Sequence, residues 1–280
     1  MTRGLTNVGA GATGDAAVVG ASTVAWFDDP LQEALVRAAA LVPLVEVFSA
    51  NHHSLLEPAN LQAALVCDRR LTVHAPWAGL DLGSLDEDQR RAAIAAHGHE
   101  IERAAAIGAE VYVVHPDGVG KRAPGWSERA AYGALARSFD ALLGLQEQHG
   151  VAVAVENLPD PRTSVFTAPG LDLRGLGFTL DAGHATLAGS LPEFLRSLDG
   201  VRHIHLHDNH GPADFVDRHL ALGRGVVDVP AVLQAASATG AAVVLELIDE
   251  EAIVESLRMV AGLGKGKRSW CGPKREEAAG

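Results

Sequence analysis

Two kinds of run alternate along the chain. The first kind is short and almost continuously apolar: Ala16 to Thr23, Leu44-Val-Glu46-Val-Phe48, Leu71-Thr-Val-His74, Val111-Tyr-Val-Val-His115, Val151-Ala-Val-Ala-Val-Glu156, Gly177 to Asp181, Val201 to His207 and Ala241 to Leu247. Runs of this length and character read as strands buried on both faces. The second kind is longer and carries apolar residues at helical spacing: Leu31 to about Leu41, Pro58 to Cys67, Asp86 to Ile107, Ser127 to His149, Leu191 to Leu198, Val229 to Ala238 and Glu250 to about Val260. A Pro-rich loop with weak helical turns follows the fifth strand. Eight strands, each followed by a helix or helical turns, predict a single (β/α)₈ TIM barrel, which typically needs roughly 250 residues. An open doubly wound sheet is the alternative, but the Gly-rich dinucleotide turn expected after its first strand is missing. The expected organisation is a flexible lead-in over 1–15, the barrel over 16–263 and a flexible basic tail over 264–280. The tail, with Lys265, Lys267, Arg268, Lys274 and Arg275, reads as a solvated extension, with partner binding as the alternative.

Composition narrows the function classes. A formal charge of −12 gives no bulk attraction to nucleic acid or an anionic membrane surface. Two cysteines, Cys67 and Cys271, support neither a disulfide framework nor a CxxC site. The N-terminus lacks the apolar core of a signal peptide, and no run is long enough to span a membrane. A cytoplasmic protein with a small-molecule substrate is the expectation. Lysine is scarce, and only Lys121, in a Gly-rich loop, is a candidate for Schiff-base chemistry, which argues against that mechanism.

Chemistry concentrates where the strands stop. In a barrel of this kind the carboxyl ends of the strands and the loops after them form the active face. Those ends carry His74, His115, Glu156, Asp181 with His184 three residues on past an expected turn at Gly183, His205 and Glu246, and the loop after the seventh strand adds Asp217-Arg218-His219. Extended backbone there would point Asp217 and His219 the same way. A single His or carboxylate at a strand end is weak evidence, because most such groups are satisfied polar residues. Nine on one face of one barrel predict a shared metal centre. A donor set of imidazole and carboxylate without thiolate suits a divalent metal such as Zn, Mn, Co, Fe or Mg. On the seventh strand His203, His205 and His207 share one side, and position alone leaves His205 and His207 both open as the ligand.

The segments Val73-His74-Ala-Pro76-Trp77, Val114-His115-Pro116, Val155-Glu156-Asn157-Leu158-Pro159, Leu180-Asp181-Ala-Gly183-His184, Ile204-His205-Leu-His207-Asp208 and Leu245-Glu246-Leu resemble those of the xylose isomerase-like TIM barrels. That superfamily includes sugar isomerases and epimerases and the endonuclease IV type of apurinic-site nuclease, and the resemblance covers about residues 16–260. The epimerase pattern implies one divalent metal on Glu156, Asp181, His205 and Glu246, with Glu156 and Glu246 as acid and base and His184 on the substrate. The nuclease pattern implies three zinc ions, adding His74, His115, His184, Asp217 and His219. The resemblance also favours His205 as the seventh-strand ligand. Trp77, Asn157, His207 and Arg224 are the expected substrate contacts.

Charge separates the two patterns. One divalent ion among three carboxylates leaves a site near −1, suited to a neutral polyol or ketose. Three ions among four carboxylates give about +2, suited to a phosphate. The first strand lacks the nuclease type's His-containing opening. The loops hold few cations, namely Lys121, Arg122, Arg162, Arg218 and Arg224, which is thin support for DNA. Gly223-Arg224-Gly225 resembles a segment of sugar-phosphate enzymes in this family and could seat a phosphate on backbone N–H groups, with a tight turn as the plain alternative. The expected activity is a divalent-metal-dependent isomerase or epimerase acting on a small sugar, sugar phosphate or polyol through an enediolate, with one to three ions per chain. The alternatives are a trinuclear zinc phosphodiesterase and a metal-dependent lyase, dehydratase or oxygenase on the same scaffold.

Overall fold

The computed structural model describes residues 17–77, 79–116 and 125–264. The lead-in over 1–15, Lys121, Arg122 and the tail from residue 265 lie outside the described residues. Eight parallel strands close into one barrel in chain order: β1 (Val19–Ser22), β2 (Leu44–Phe48), β3 (Arg70–His74), β4 (Val111–Val114), β5 (Ala152–Glu156), β6 (Gly177–Asp181), β7 (Val201–Leu206) and β8 (Ala242–Leu245), with β8 pairing back to β1. The helices are α1 (Leu31–Leu41), α2 (Pro58–Leu65), α3 (Glu87–Ala106), α4 (Glu128–His149), α5 (Ala182–Ala188), α6 (Leu191–Phe194), α7 (Val229–Thr239) and α8 (Glu250–Gly264). The chain is a (β/α)₈ TIM barrel.

Helix starts follow local chemistry. The Asp86 carboxylate accepts from the N–H groups of Asp88 and Gln89 to open α3, Ser127 caps α4 and Asp228 caps α7. Two elements depart from the sequence expectation. The stretch after Asp181 is helix α5 rather than a turn at Gly183, because the Asp181 carboxylate accepts from His184 N–H at 2.6 Å and nucleates it. The helix expected over Leu191–Leu198 is a single turn ending at Phe194.

Packing sorts the strand residues by face. Val45, Val47, Val73, Val153, Val155, Leu180, Ile204 and Leu206 join the large apolar layer between strands and helices. The alternate positions face the barrel interior, where Val111, Val113 and Ala154 form a small apolar plug. Beside it the interior turns polar, with Glu46, Thr72, Thr179, His203 and His205 all buried. A register shift on β7 sets this up: Phe178 pairs with Val201, but Thr179 pairs with His203 and Asp181 with His205. The bulge at Arg202 brings the β7 histidines into line with Asp181. Gly177 accommodates it, since a Cβ there would stand 2.7 Å from Arg202 Cγ.

Candidate metal centre

All nine strand-end groups converge at the carboxyl end of the barrel. They sort into four overlapping clusters whose potential ligand atoms lie within 4.8 Å of one another: His74, His115 and Glu156; Glu156, Asp181, His205 and Glu246; His74, His205 and Glu246; and His184, Asp217 and His219 joined by His207. Glu156 is common to the first two. Its Oε2 lies 3.3 Å from His74 Nε2, 3.5 Å from His115 Nε2 and 3.3 Å from His205 Nδ1, and Glu246 Oε2 lies 3.3 Å from the same His205 nitrogen. In the outer cluster Asp217 Oδ2 sits 3.0 Å from His184 Nε2 and 3.2 Å from His219 Nε2.

Neighbouring carbonyls choose the imidazole tautomers. A carbonyl oxygen only accepts, so the ring nitrogen facing it carries the proton. His74 Nδ1 faces the Ala75 carbonyl at 2.6 Å, His184 Nδ1 the Asn157 carbonyl at 3.0 Å and His219 Nδ1 the Glu246 carbonyl at 2.7 Å. In each ring Nε2 is left for an ion, the usual arrangement of a metal-binding histidine and its outer partner. His219 reaches this pose with a left-handed backbone, φ 46°, so the Asp217-Arg218-His219 segment is not the extended stretch expected. Arg218 turns away and pairs with Asp214.

Burial makes the cluster costly unless something fills it. Both oxygens of Glu156, Asp181 Oδ2, His205 Nδ1, Glu246 Oε2 and both nitrogens of His207 are buried without a hydrogen-bond partner. Orphaned donors and acceptors of this kind are rare in folded proteins. The orphans of Glu156, Asp181, His205 and Glu246 belong to one cluster. This donor set fits a divalent cation.

Protonation follows the same geometry. Burial pushes the Glu156 carboxyl up, but His205 and His115 outweigh it and hold the group well below the usual range. Burial also raises Asp217, and hydrogen bonds from His184 and His219 more than reverse it. Burial lowers His219, yet Asp217 and Glu246 bring it to about 9. His74 shows the same contest, with burial lowering and Glu156 raising it to a net rise. The groups pair with one another, and a bound cation would displace protons from the imidazoles.

The residues expected to touch substrate separate. A cavity of about 370 Å³ opens over the clusters, lined by His74, His115, Glu156, His184, Asp217, His219 and Glu246 with walls of Val24, Phe27, Phe48, Trp77 and Ile248. Trp77 stands at this wall and is 64% exposed. The other three sit elsewhere. Asn157 ties β5 to β6: its amide donates to the Asp181 carbonyl at 3.0 Å and accepts from Asp181 N–H at 2.9 Å. His207 is fully buried, stacked on His219 with ring centroids 4.0 Å apart and 3.2 Å from Asp181 Oδ1, so it belongs to the ligand clusters. Arg224 is exposed and paired with Glu255.

Of the two readings open for Gly223-Arg224-Gly225, a phosphate seat or a tight turn, the seat is already filled. The N–H groups of Gly223, Gly225 and Val227 all donate to the Asp208 carboxylate, at 2.9–3.0 Å. An internal anion takes the place reserved for a phosphate. The residue that sequence reasoning passed over is Glu46, in the middle of β2 and fully buried beside His203 and His205. A charged side chain inside an apolar strand run was the available signal.

Fold and site together define a barrel with a multi-histidine, multi-carboxylate centre at its carboxyl end. A family model described as xylose isomerase-like TIM barrel matches residues 38–263. The chain belongs to that family. An uncharacterized protein of Methanocaldococcus jannaschii is 30% identical over 216 residues, covering 75% of this chain and 84% of that protein. Among solved structures, a D-tagatose 3-epimerase-like protein superposes with a TM-score of 0.78 at 24% identity, covering 89% of this chain and 97% of that one. At that identity the likeness establishes the fold alone. A Thermus thermophilus protein soaked with ZnCl₂ is 28% identical with a TM-score of 0.66, covering 89% of this chain and 99% of the other.

Proposed function

We propose that this protein is a divalent-metal-dependent isomerase or epimerase of a small sugar or polyol. One observation carries the reading: Glu156 and Glu246 arrive from β5 and just beyond β8 and lean on the same nitrogen of His205 beneath one cavity. Two carboxylates with orphaned oxygens at one small-molecule cavity suit proton removal by one and return by the other, to the adjacent carbon in an isomerisation or to the opposite face of the same carbon in an epimerisation. Glu156, Asp181, His205 and Glu246 would hold the principal ion, which when bound polarises the carbonyl and hydroxyl oxygens of the substrate. Glu246, the more open of the two glutamates, takes the proton from the carbon beside the carbonyl, and Glu156 gives one back to the enediolate, at the neighbouring carbon for isomerisation or on the opposite face of the same carbon for epimerisation. His184 orients a substrate hydroxyl. Trp77, Phe27 and Ile248 form an apolar wall against a sugar face and exclude water. The resemblance to sugar epimerases supports the substrate class.

The charge distribution agrees with a neutral substrate. No Lys or Arg lines the cavity among the described residues. Arg162, Arg218 and Arg224, the described cations of the active-face loops, pair with Asp160, Asp214 and Glu255. With the Gly223–Gly225 seat filled by Asp208, a free sugar is favoured over a sugar phosphate.

Ketopentoses and ketohexoses incubated with metal-loaded protein in D₂O are expected to exchange the C–H beside the carbonyl, read by NMR. Glu246→Gln should slow that exchange by about 10²–10⁴-fold. A full-rate Glu246→Gln enzyme, or no exchange across the ketose panel, would sink the assignment. A second reading, phosphodiester hydrolysis by three ions, is favoured by the outer His184, His207, Asp217 and His219 cluster. Incision of an abasic-site duplex with added Zn²⁺ would decide for it.

A further inference from the structure

Below the ligand clusters lies a charged layer that the proposed reaction does not use. Glu46 sits mid-strand on β2, and its carboxylate crosses the barrel interior to β7. Its Oε2 is 2.8 Å from His203 Nε2 and 3.3 Å from His205 Nε2 and accepts from Thr72 Oγ1 at 3.2 Å, while its Oε1 lies 3.1 Å from the same His205 nitrogen. All four residues are buried. A carboxylate in a barrel interior normally filled by branched apolar side chains is expensive.

We propose that Glu46 is a positioning residue of the metal centre: it holds the Nε2–H of His205 and so turns the Nδ1 lone pair toward Glu156, Asp181 and Glu246. A neutral imidazole has one N–H, so donating it to Glu46 leaves Nδ1 as a pure acceptor. That nitrogen has no hydrogen-bond partner, yet lies 3.3 Å from both Glu156 Oε2 and Glu246 Oε2. The three other rings with an outer partner, His74, His184 and His219, lean on neutral backbone carbonyls. Of these four rings, His205 is the one whose outer partner is a carboxylate, which raises the basicity of its metal-facing nitrogen. His203 is the brace of this arrangement, its Nε2 fixing the same Oε2 that His205 Nε2 reaches.

Glu46 touches none of His184, His207, Asp217 or His219, so its loss should be felt only at the ion that His205 holds. A Glu46→Gln side chain keeps the shape but loses the charge: its single oxygen can still accept from the imidazoles at the Oε2 position, while its NH₂ stands where Oε1 neighbours His205 Nε2. In the full chain, stripped with chelator and titrated with Zn²⁺ against a competing indicator, the variant should bind its tightest ion about 10–100-fold more weakly, with the remaining sites unchanged. The wild-type protein gives an independent readout. Loaded with ¹¹³Cd²⁺ and ¹⁵N-labelled at histidine, it should couple the metal to Nδ1 of His205 and keep a proton on Nε2. Coupling to Nε2, or unaltered affinity in Glu46→Gln, would overturn the proposal. If Glu46→Gln does not fold, the cadmium spectrum decides alone.

This inference rests on the reading of the site as a metal centre, and the two can fail separately. A wild-type protein that binds no divalent ion removes both. One that binds ions through His205 Nδ1 but exchanges no sugar proton removes only the isomerase reading.

Discussion

His219 shows how much of this site depends on the conformation of single residues. Its left-handed backbone costs on the order of 1 kcal/mol for a side chain of this kind. The Glu246 carbonyl, the Asp217 carboxylate and the His207 ring hold it there. A pH dependence follows from the ion pair. His219 is raised above the unfolded value of about 6.5 to about 9. Its contribution to the metal-free fold is therefore complete below pH 6.5 and lost as pH rises through 9. Asp217 is lowered, so its own contribution is present above its unfolded value and lost only on strong acidification. Urea unfolding of the chelator-treated protein should give a midpoint that falls between pH 6.5 and 9, with a smaller fall in His219→Gln. Metal affinity should rise across the same window as the imidazolium gives up its proton. A midpoint that climbs with pH there, equally in both proteins, would contradict the pairing.

At the scale of elements, the segment after β6 departs from its sequence signal for a steric reason. A Gly after Asp181 reads as a turn signal, but Gly183 lies inside α5, where a Cβ would run into the His207 ring. The glycine is there for clearance across the β6–β7 seam and not for a positive φ. Replacing Gly by Ala within a helix normally stabilises by about 0.5–1 kcal/mol. Here the sign should reverse. Gly183→Ala is expected to destabilise by roughly 1–3 kcal/mol, as overpacked sites do, and to displace His207. Thermal unfolding and metal stoichiometry check it, and a stabilised variant with full metal content would refute the clearance argument. The loop between β7 and α7 carries the companion lesson. Its Gly223 and Gly225 read equally well as a phosphate seat or a tight turn, and only the position of Asp208 distinguishes them.

Across the whole molecule, apolar side chains pack the layer between strands and helices, while buried charge concentrates inside the barrel and toward its carboxyl end. Glu156, Asp181 and Glu246 at the barrel mouth and Glu46 in the layer beneath them are balanced by imidazoles. An ion binding only the folded state would replace strained pairing by coordination and shift the folding equilibrium. At a free concentration a hundredfold above Kd the gain is about 2.7 kcal/mol. For a chain of this size that is a rise in Tm of roughly 5–10 °C. Chelated protein titrated with Zn²⁺ or Mn²⁺ in a calorimeter should show this rise, reversed by EDTA. A Tm indifferent to every divalent ion would count against a metal centre. No helix among the described residues is long and apolar enough to cross a membrane.

The alternation of apolar strands with amphipathic helices was enough to determine the barrel and to put nine metal-type side chains at the ends of its strands. Strand polarity is a local property: whichever residue stops a parallel barrel strand stands on the same face as every other stop. What the tertiary structure alone decided was contact across the barrel. Glu46 meets His205 from 159 residues away, the β7 bulge brings Asp181 level with His205, and Asp208 fills a nest 15 to 19 residues downstream. Spacing along a chain cannot foresee these pairings, because they depend on barrel closure and strand register, which are set by the packing of all eight strands at once.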